Sequence, residues 1–308
     1  MQYIWLVIKG LFIGISNIIP GVSGGTMAVS LGIYDDIIHS FTHIRKEFKR
    51  SMHVLLPILI GALLGVAGFS MIITWLLDEH TLYTAFAFVG LILGGLPILS
   101  ESFKESLIED KQKITPIHVF LFVIFLALVA WMGVADVSGS GPDTISLGAG
   151  PLIALFFVGL VSAAAMVVPG ISGSLLMLIM GYYYAVIYAI NGFTSNLTTF
   201  NLSELIPYTI LLTSYALGML IGIILISKVI DYFFSSYPSF TYAAILGLVT
   251  ASPVAVIANT NALNELTTGN AFVKMIIALV IALACYSLTF AVGRTDDVTE
   301  ELPEETHA

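Results

Sequence analysis

The amino-acid sequence predicts an all-α polytopic membrane protein built as an inverted repeat, each half one re-entrant helical hairpin plus three transmembrane helices. Three observations carry this expectation. Apolar residues make up 58% of the chain and charged residues only 10%, with a mean hydropathy of +0.99, far outside the balance of a soluble globular chain. A polar, helix-breaking turn, Pro20-Gly21-Val22-Ser23-Gly24-Gly25-Thr26, interrupts an apolar stretch and returns as Pro169-Gly170-Ile171-Ser172-Gly173-Ser174. Lysine and arginine fall almost wholly in alternate connections between apolar runs.

The duplication aligns residues 10–41 with residues 159–190 without a gap. It matches Gly10 with Gly159, Leu11 with Leu160, Pro20 with Pro169, Ser23 with Ser172, Gly24 with Gly173, Gly32 with Gly181 and Tyr34 with Tyr183. In chain order, the first apolar run, residues 3–19, stops at Pro20, which lacks a backbone donor and biases Ile19 away from helical geometry. A second helix is expected from Ser23 or Gly24 to Ser40, where His43, Arg45, Lys46, Lys49 and Arg50 take over. A full span needs roughly 20 apolar residues, so the two pieces read as a re-entrant hairpin over 3–40 that returns to its side of entry. Two short tilted spans are the alternative.

Spans over about 54–77, 82–99 and 117–135 complete the first repeat, 1–148, which closes on a Gly-, Ser- and Asp-rich connection from Asp136. The second repeat, 149–293, has its hairpin at 151–190, a polar connection through Ser203, and spans over about 205–227, 241–258 and 272–292. Residues 294–308 form an acidic tail that holds much of the net charge of -9. The repeat persists more weakly in the spans, where Thr84, Gly90 and Leu91 resemble Thr241, Gly247 and Leu248. Gly61/Gly65 and Gly218/Gly222 have the spacing of close helix contacts.

Placing the basic connections in the cytoplasm puts both termini inside and leaves Lys274 as the one exception. Each half then crosses an odd number of times. The second half is therefore expected to be inverted relative to the first, a plan shared by many secondary transporters with broken helices near the midplane. The first apolar run reads as mature structure, since no small-residue cleavage site follows it.

The chemistry expected of the paired turns is anion binding. Pro20, Gly21, Ser23, Gly24, Gly25 and Thr26, with Pro169, Gly170, Ser172, Gly173 and Ser174, combine unpaired helix N–H groups, hydroxyl donors and glycines that let a bulky anion approach. The plainer alternative is that the serines cap their own helices and the glycines permit close packing. Asp35 and Asp36 are candidates for proton relay or cation coupling, although interfacial placement also accounts for them, and their counterparts Tyr184 and Ala185 are uncharged. No histidine or cysteine pattern has metal-ligand spacing, and no cofactor, metal or nucleic-acid partner is expected. A homo-oligomer remains open.

With Gly32-Ile33-Tyr34 and Gly181-Tyr182-Tyr183 following the two turns at the same distance, the chain resembles the bacterial family formerly known as domain of unknown function 368, now associated with polyprenyl-phosphate translocases. The resemblance runs from Lys9 to Gly293. It implies transport of undecaprenyl phosphate, a lipid carrier of envelope polymers, from the outer to the inner leaflet. Two alternatives stand beside it. An undecaprenyl-diphosphate phosphatase would need acidic residues and an arginine near the turns, yet no Asp, Glu, Arg or His lies between Leu11 and Tyr34 or between Gly150 and Ile190. The other is an ion-coupled carrier of a small soluble anion.

The charge pattern yields a topology test. Single cysteines at Ser138 and Asn196 should label with an impermeant maleimide from outside intact cells, and cysteines at Ser51 and Ser106 should not. Labelling of Ser138 and Asn196 from opposite sides would remove the inversion.

Overall fold

The computed structural model describes residues 2–19, 22–109, 111–134, 147–267 and 269–293. Among them the secondary structure is entirely helical, and seven helices are long and apolar enough to cross a membrane, as expected of a polytopic membrane protein. The first half contains α1 (Gln2–Ser16), α2 (Gly24–Ser30), α3 (Tyr34–His43), α4 (Phe48–Glu79), α5 (Thr81–Glu109) and α6 (Pro116–Val134). The second contains α7 (Ala149–Val167), α8 (Gly173–Ile179), α9 (Tyr183–Thr198), α10 (Leu202–Ser236), α11 (Pro238–Thr260), a short 3-10 helix (Ala262–Thr267) and α12 (Ala271–Gly293). The connection expected from Asp136 lies largely, and the acidic tail wholly, outside the described residues.

The return limb of each hairpin is two helices rather than one. Gly32 and Gly181 take φ values of +69° and +76°, the left-handed region that ends a helix most cheaply when no Cβ is present. The N–H of Ile33 reaches back to the Ala28 carbonyl and that of Tyr182 to the Met177 carbonyl, so each short helix closes in the same way. The sequence reading ran these limbs as continuous helices. It treated Gly32 and Gly181 only as repeat and family markers, although a glycine just past an apolar helix is a common C-terminal stop. In the second copy α8 and α9 meet at 111°.

Three further boundaries differ. α4, α5 and α10 extend well past the expected spans, since an amphipathic or charged continuation costs a helix nothing once it has left the apolar layer. The expected polar connection before Ser203 is mostly helix as well, with α9 continuing to Thr198 and only three residues separating it from α10.

Backbone approach at glycine fixes the frame, and it does so twice. A Cβ at Gly61 would lie 2.0 Å from the Val7 carbonyl oxygen, and one at Gly65 would lie 2.4 Å from that of Leu11, so α4 can rest on α1 only without side chains there. Gly218 and Gly222 meet the carbonyls of Phe156 and Leu160 in the same way and seat α10 on α7. These four carbonyls are repeat counterparts. Gly90 meets the Ala282 carbonyl on α12, and Gly247 meets the Phe122 carbonyl on α6. α5 and α11 then pack against each other, each with the other half's last helix beside it.

The main core gathers around the first hairpin, where Met27, Val29, Leu31 and Ile33 are buried against residues of α5 and α11 such as Ile92 and Val249. Lys274, the exception to the charge pattern, has a local reason. Its Nζ donates to the Glu265 carbonyl at 2.9 Å and lies 4.0 Å from the Glu265 carboxylate, which itself accepts from the Leu82 N–H at the start of α5. His118 is structural too, its Nδ1 accepting from the Thr115 N–H at 3.0 Å and its ring stacked on Phe240.

Substituting valine for Gly61 or Gly218 should lower stability by about 1–3 kcal/mol, since the intruding atom meets backbone. Thermal unfolding in detergent would show it. Gly68→Ala, where a Cβ meets nothing within 4 Å, should leave the transition unchanged.

Candidate functional site

Each turn delivers the chain from an ended helix into a new N-terminus capped by serine. Ser23, in extended geometry, accepts from the Thr26 N–H at 3.2 Å, and Ser172 accepts from the Leu175 N–H at 3.4 Å. The capping alternative is thus part of the geometry in both copies. A capping oxygen keeps its own proton, so each hydroxyl can still donate. Ser172 shares a hydrogen bond of 2.9 Å with Ser174, whose side chain is exposed, while Ser23 is buried.

The structure brings the two turns into contact. Thr26, fully buried, accepts at Oγ1 from the Gly170 N–H at 2.6 Å. A Cβ at Gly25 would lie 2.9 Å from the Val167 carbonyl oxygen, and the Tyr34 hydroxyl donates to that carbonyl at 3.0 Å. The first turn therefore abuts the end of α7 and the start of the second turn. Pro169 and Gly170 are buried, Gly170 with φ +80° against the Leu248 carbonyl of α11. The hydrogen bonds of Ser23 stay within the first turn and those of Ser172 and Ser174 within the second. Gly24 is half-buried and Gly173 buried. Pro20 and Gly21 lie outside the described residues.

Residues 13–273 match the family described as undecaprenyl phosphate translocase-like. The chain belongs to that family. It is similar to a protein of Staphylococcus aureus (strain NCTC 8325 / PS 47) named polyprenyl-phosphate transporter, with 32% identity over 261 residues, 83% of this chain and 87% of that one. A protein of Vibrio cholerae serotype O1 with the same name is 28% identical over 269 residues, 81% of this chain and 76% of its own. No solved structure matches significantly. Both turns fall inside the matched range of this translocase-like chain.

The sequence reading left three polar residues of the structure unassigned. Asn17 follows α1 and is exposed, its side-chain oxygen accepts from the Gly24 N–H at 3.0 Å, and its amide nitrogen lies beside Gly24, 2.9 Å from where a Cβ there would stand. A lone amide in an apolar run was the available signal, but its counterpart Met166 hid it from a search by repeat. Lys9 is fully buried on α1, and a charge buried in a membrane bundle is a mark of function or of an internal ion interaction. Tyr242, near the start of α11, donates to the Asp35 carboxylate and ties the first hairpin to the second half. Nothing in sequence spacing joins residues 207 positions apart.

Asp35 also stands in a group of carboxylates. It lines a cavity of about 390 Å³ together with Glu105, Glu109, Asp231, Ser102 and Tyr242. Four carboxylates make this mouth repulsive to phosphate and attractive to cations. Asp36 is half-buried on the same helix. Among the described residues no group of three His, Cys, Asp or Glu side chains is placed to hold a metal ion.

The caps can be separated from any ligand role by stability alone. Ser23→Ala should lower it by about 1 kcal/mol, and Ser172→Ala by less, because its bond is longer and its surroundings more open. Denaturant unfolding in detergent, with no lipid present, measures both.

Proposed function

We propose that the protein carries polyprenyl phosphate, specifically undecaprenyl phosphate, from the outer to the inner leaflet of the bacterial cytoplasmic membrane, with the headgroup received at the paired turns. One observation carries the reading. Two duplicated Pro-Gly-Ser turns touch through Thr26 and Gly170, inside a chain whose relatives are named polyprenyl-phosphate transporters. The two turns that meet there carry groups suited to an anion: the hydroxyls of Ser23, Ser172 and Ser174, and the Asn17 amide beside the first helix start.

The halves are read as two repeats, 1–148 and 149–293, inverted relative to each other, with both termini cytoplasmic. The repeated glycine contacts support a common frame, and the basic connections support the orientation. Moving a phosphate anion into an inside-negative cell opposes the potential by about 2.3 kcal/mol per charge per 100 mV. Either a proton or cation enters with it, for which Asp35 and Asp36 in and beside the acidic mouth are suited, or cytoplasmic consumption draws the exchange inward. A phosphatase is disfavoured because the stretches that carry the turns contain no acid, arginine or histidine between Leu11 and Tyr34 or between Gly150 and Ile190. A carrier of soluble anions shares the chemistry of the turns but leaves the named relatives unexplained.

Purified protein in liposomes with labelled undecaprenyl phosphate tests the reading. Inward and outward transfer should require the protein, and Ser172→Ala with Ser174→Ala should slow it roughly tenfold, as expected when charge-assisted bonds are lost. Gly24→Leu should block it while eluting as folded protein. Normal transfer by a stable Gly24→Leu protein would put the headgroup elsewhere, and flux of inorganic phosphate in liposomes lacking the lipid would favour the soluble-anion carrier.

A further inference from the structure

Equivalent glycines seat the long helices around the two hairpins, but the hairpins are not placed alike. In the first, Met27, Val29, Leu31 and Tyr34 are buried. Ser30 donates to the Ile92 carbonyl of α5 at 3.3 Å, and a Cβ at Gly95 would lie 2.2 Å from the Ser30 Cα, so α2 is seated directly on α5. In the second, the equivalent Leu176, Leu178, Met180 and Tyr183 are all half-exposed, and Ile179, the counterpart of Ser30, is 42% exposed. α8 packs on its own neighbours α7 and α9.

The bond that ties the docked hairpin across the repeats has a full counterpart. Tyr34 donates to the Val167 carbonyl, and the equivalent pair is Tyr183 and Ile18. Resting on the transport reading above, we propose that the protein has a second state in which the hairpins exchange roles, with Tyr34 and Tyr183 as its positioning residues. In that state Tyr183 donates to the Ile18 carbonyl, α8 lies on α11 with residue 179 close to Ser252, the counterpart of Gly95, and the first hairpin is released.

The other ties do not exchange. Thr26 bonds Gly170, whereas Leu175 in its place has no hydroxyl. Asp35 accepts from Tyr242, whereas the counterparts are Tyr184 and Ala85. Ser30 donates to Ile92, whereas Ile179 cannot donate to Val249. A net hydrogen bond shifts a two-state population by about fivefold, so the state described here dominates in the absence of lipid.

Spin labels read the exchange directly. In full-length protein with Cys285→Ala, labels on Ile179→Cys and Val254→Cys, both at exposed positions, should give a dominant longer distance and a minor shorter one in lipid nanodiscs. Tyr34→Phe and Thr26→Val should each raise the shorter fraction about fivefold, and Tyr183→Phe should lower it. Absence of the shorter distance in both Tyr34→Phe and Thr26→Val, or movement of Tyr34→Phe and Tyr183→Phe in the same direction, would overturn the exchange. Lipid transfer by the unlabelled wild type is measured beside it. Transfer with no change in distances removes the exchange and keeps the transport reading, whereas opposite shifts without transfer keep the exchange and remove that reading.

Discussion

A broken helix inside an apolar layer must find partners for the backbone groups it frees, because no water is there to take them. The first turn meets that demand with named groups. Ser23 takes the Thr26 N–H, the Asn17 side chain takes the Gly24 N–H, and Thr26 in turn takes the Gly170 N–H of the second turn. The last of these makes the two halves depend on each other. A turn that satisfies its neighbour's backbone cannot move without leaving a buried donor unpaired or handing it to another acceptor.

Around this point the structure is rigid by design of its contacts. Glycines that admit a carbonyl oxygen at the distance of a Cβ hold α4 on α1 and α10 on α7, and the same device joins α5 to α12 and α11 to α6. Helices seated backbone to backbone have no long side chains to slide over, so they move as blocks. The short helices α2 and α8 are bounded on both sides by breaks, with α2 seated on α5 at Gly95 and α8 on α7, where a Cβ at Gly173 would lie 2.7 Å from the Ser162 carbonyl oxygen. They are the parts that the proposed exchange would move.

Much of this was legible in the sequence. Composition and run lengths led to a helical membrane protein, the gapless duplication led to the turns, and the Gly-x-x-x-Gly pairs at Gly61 and Gly218 led to the close contacts. Three things were not. The breaks after Ser30 and Ile179 depend on left-handed glycines whose neighbours are apolar, so hydropathy runs straight across them. The Tyr242 contact with Asp35 joins distant segments and has no counterpart in the other copy, so neither spacing nor repeat could reveal it. The burial of Lys9 depends on how α1 is covered, which a linear reading of one helix does not contain.

The replacement of Thr26 by Leu175 in the second copy has a kinetic meaning. Any carrier that only relaxes between two orientations must obey detailed balance, and a preference of the empty protein cancels around the closed cycle. Unequal hydroxyls at the paired turns therefore leave the final partition of cargo between leaflets untouched. They act on saturation instead, since a binding-competent orientation that is rarely visited weakens apparent affinity in proportion to its rarity. In the proposed exchange, the missing hydroxyl at position 175 would thus contribute to different half-saturating lipid concentrations on the two faces of the same membrane.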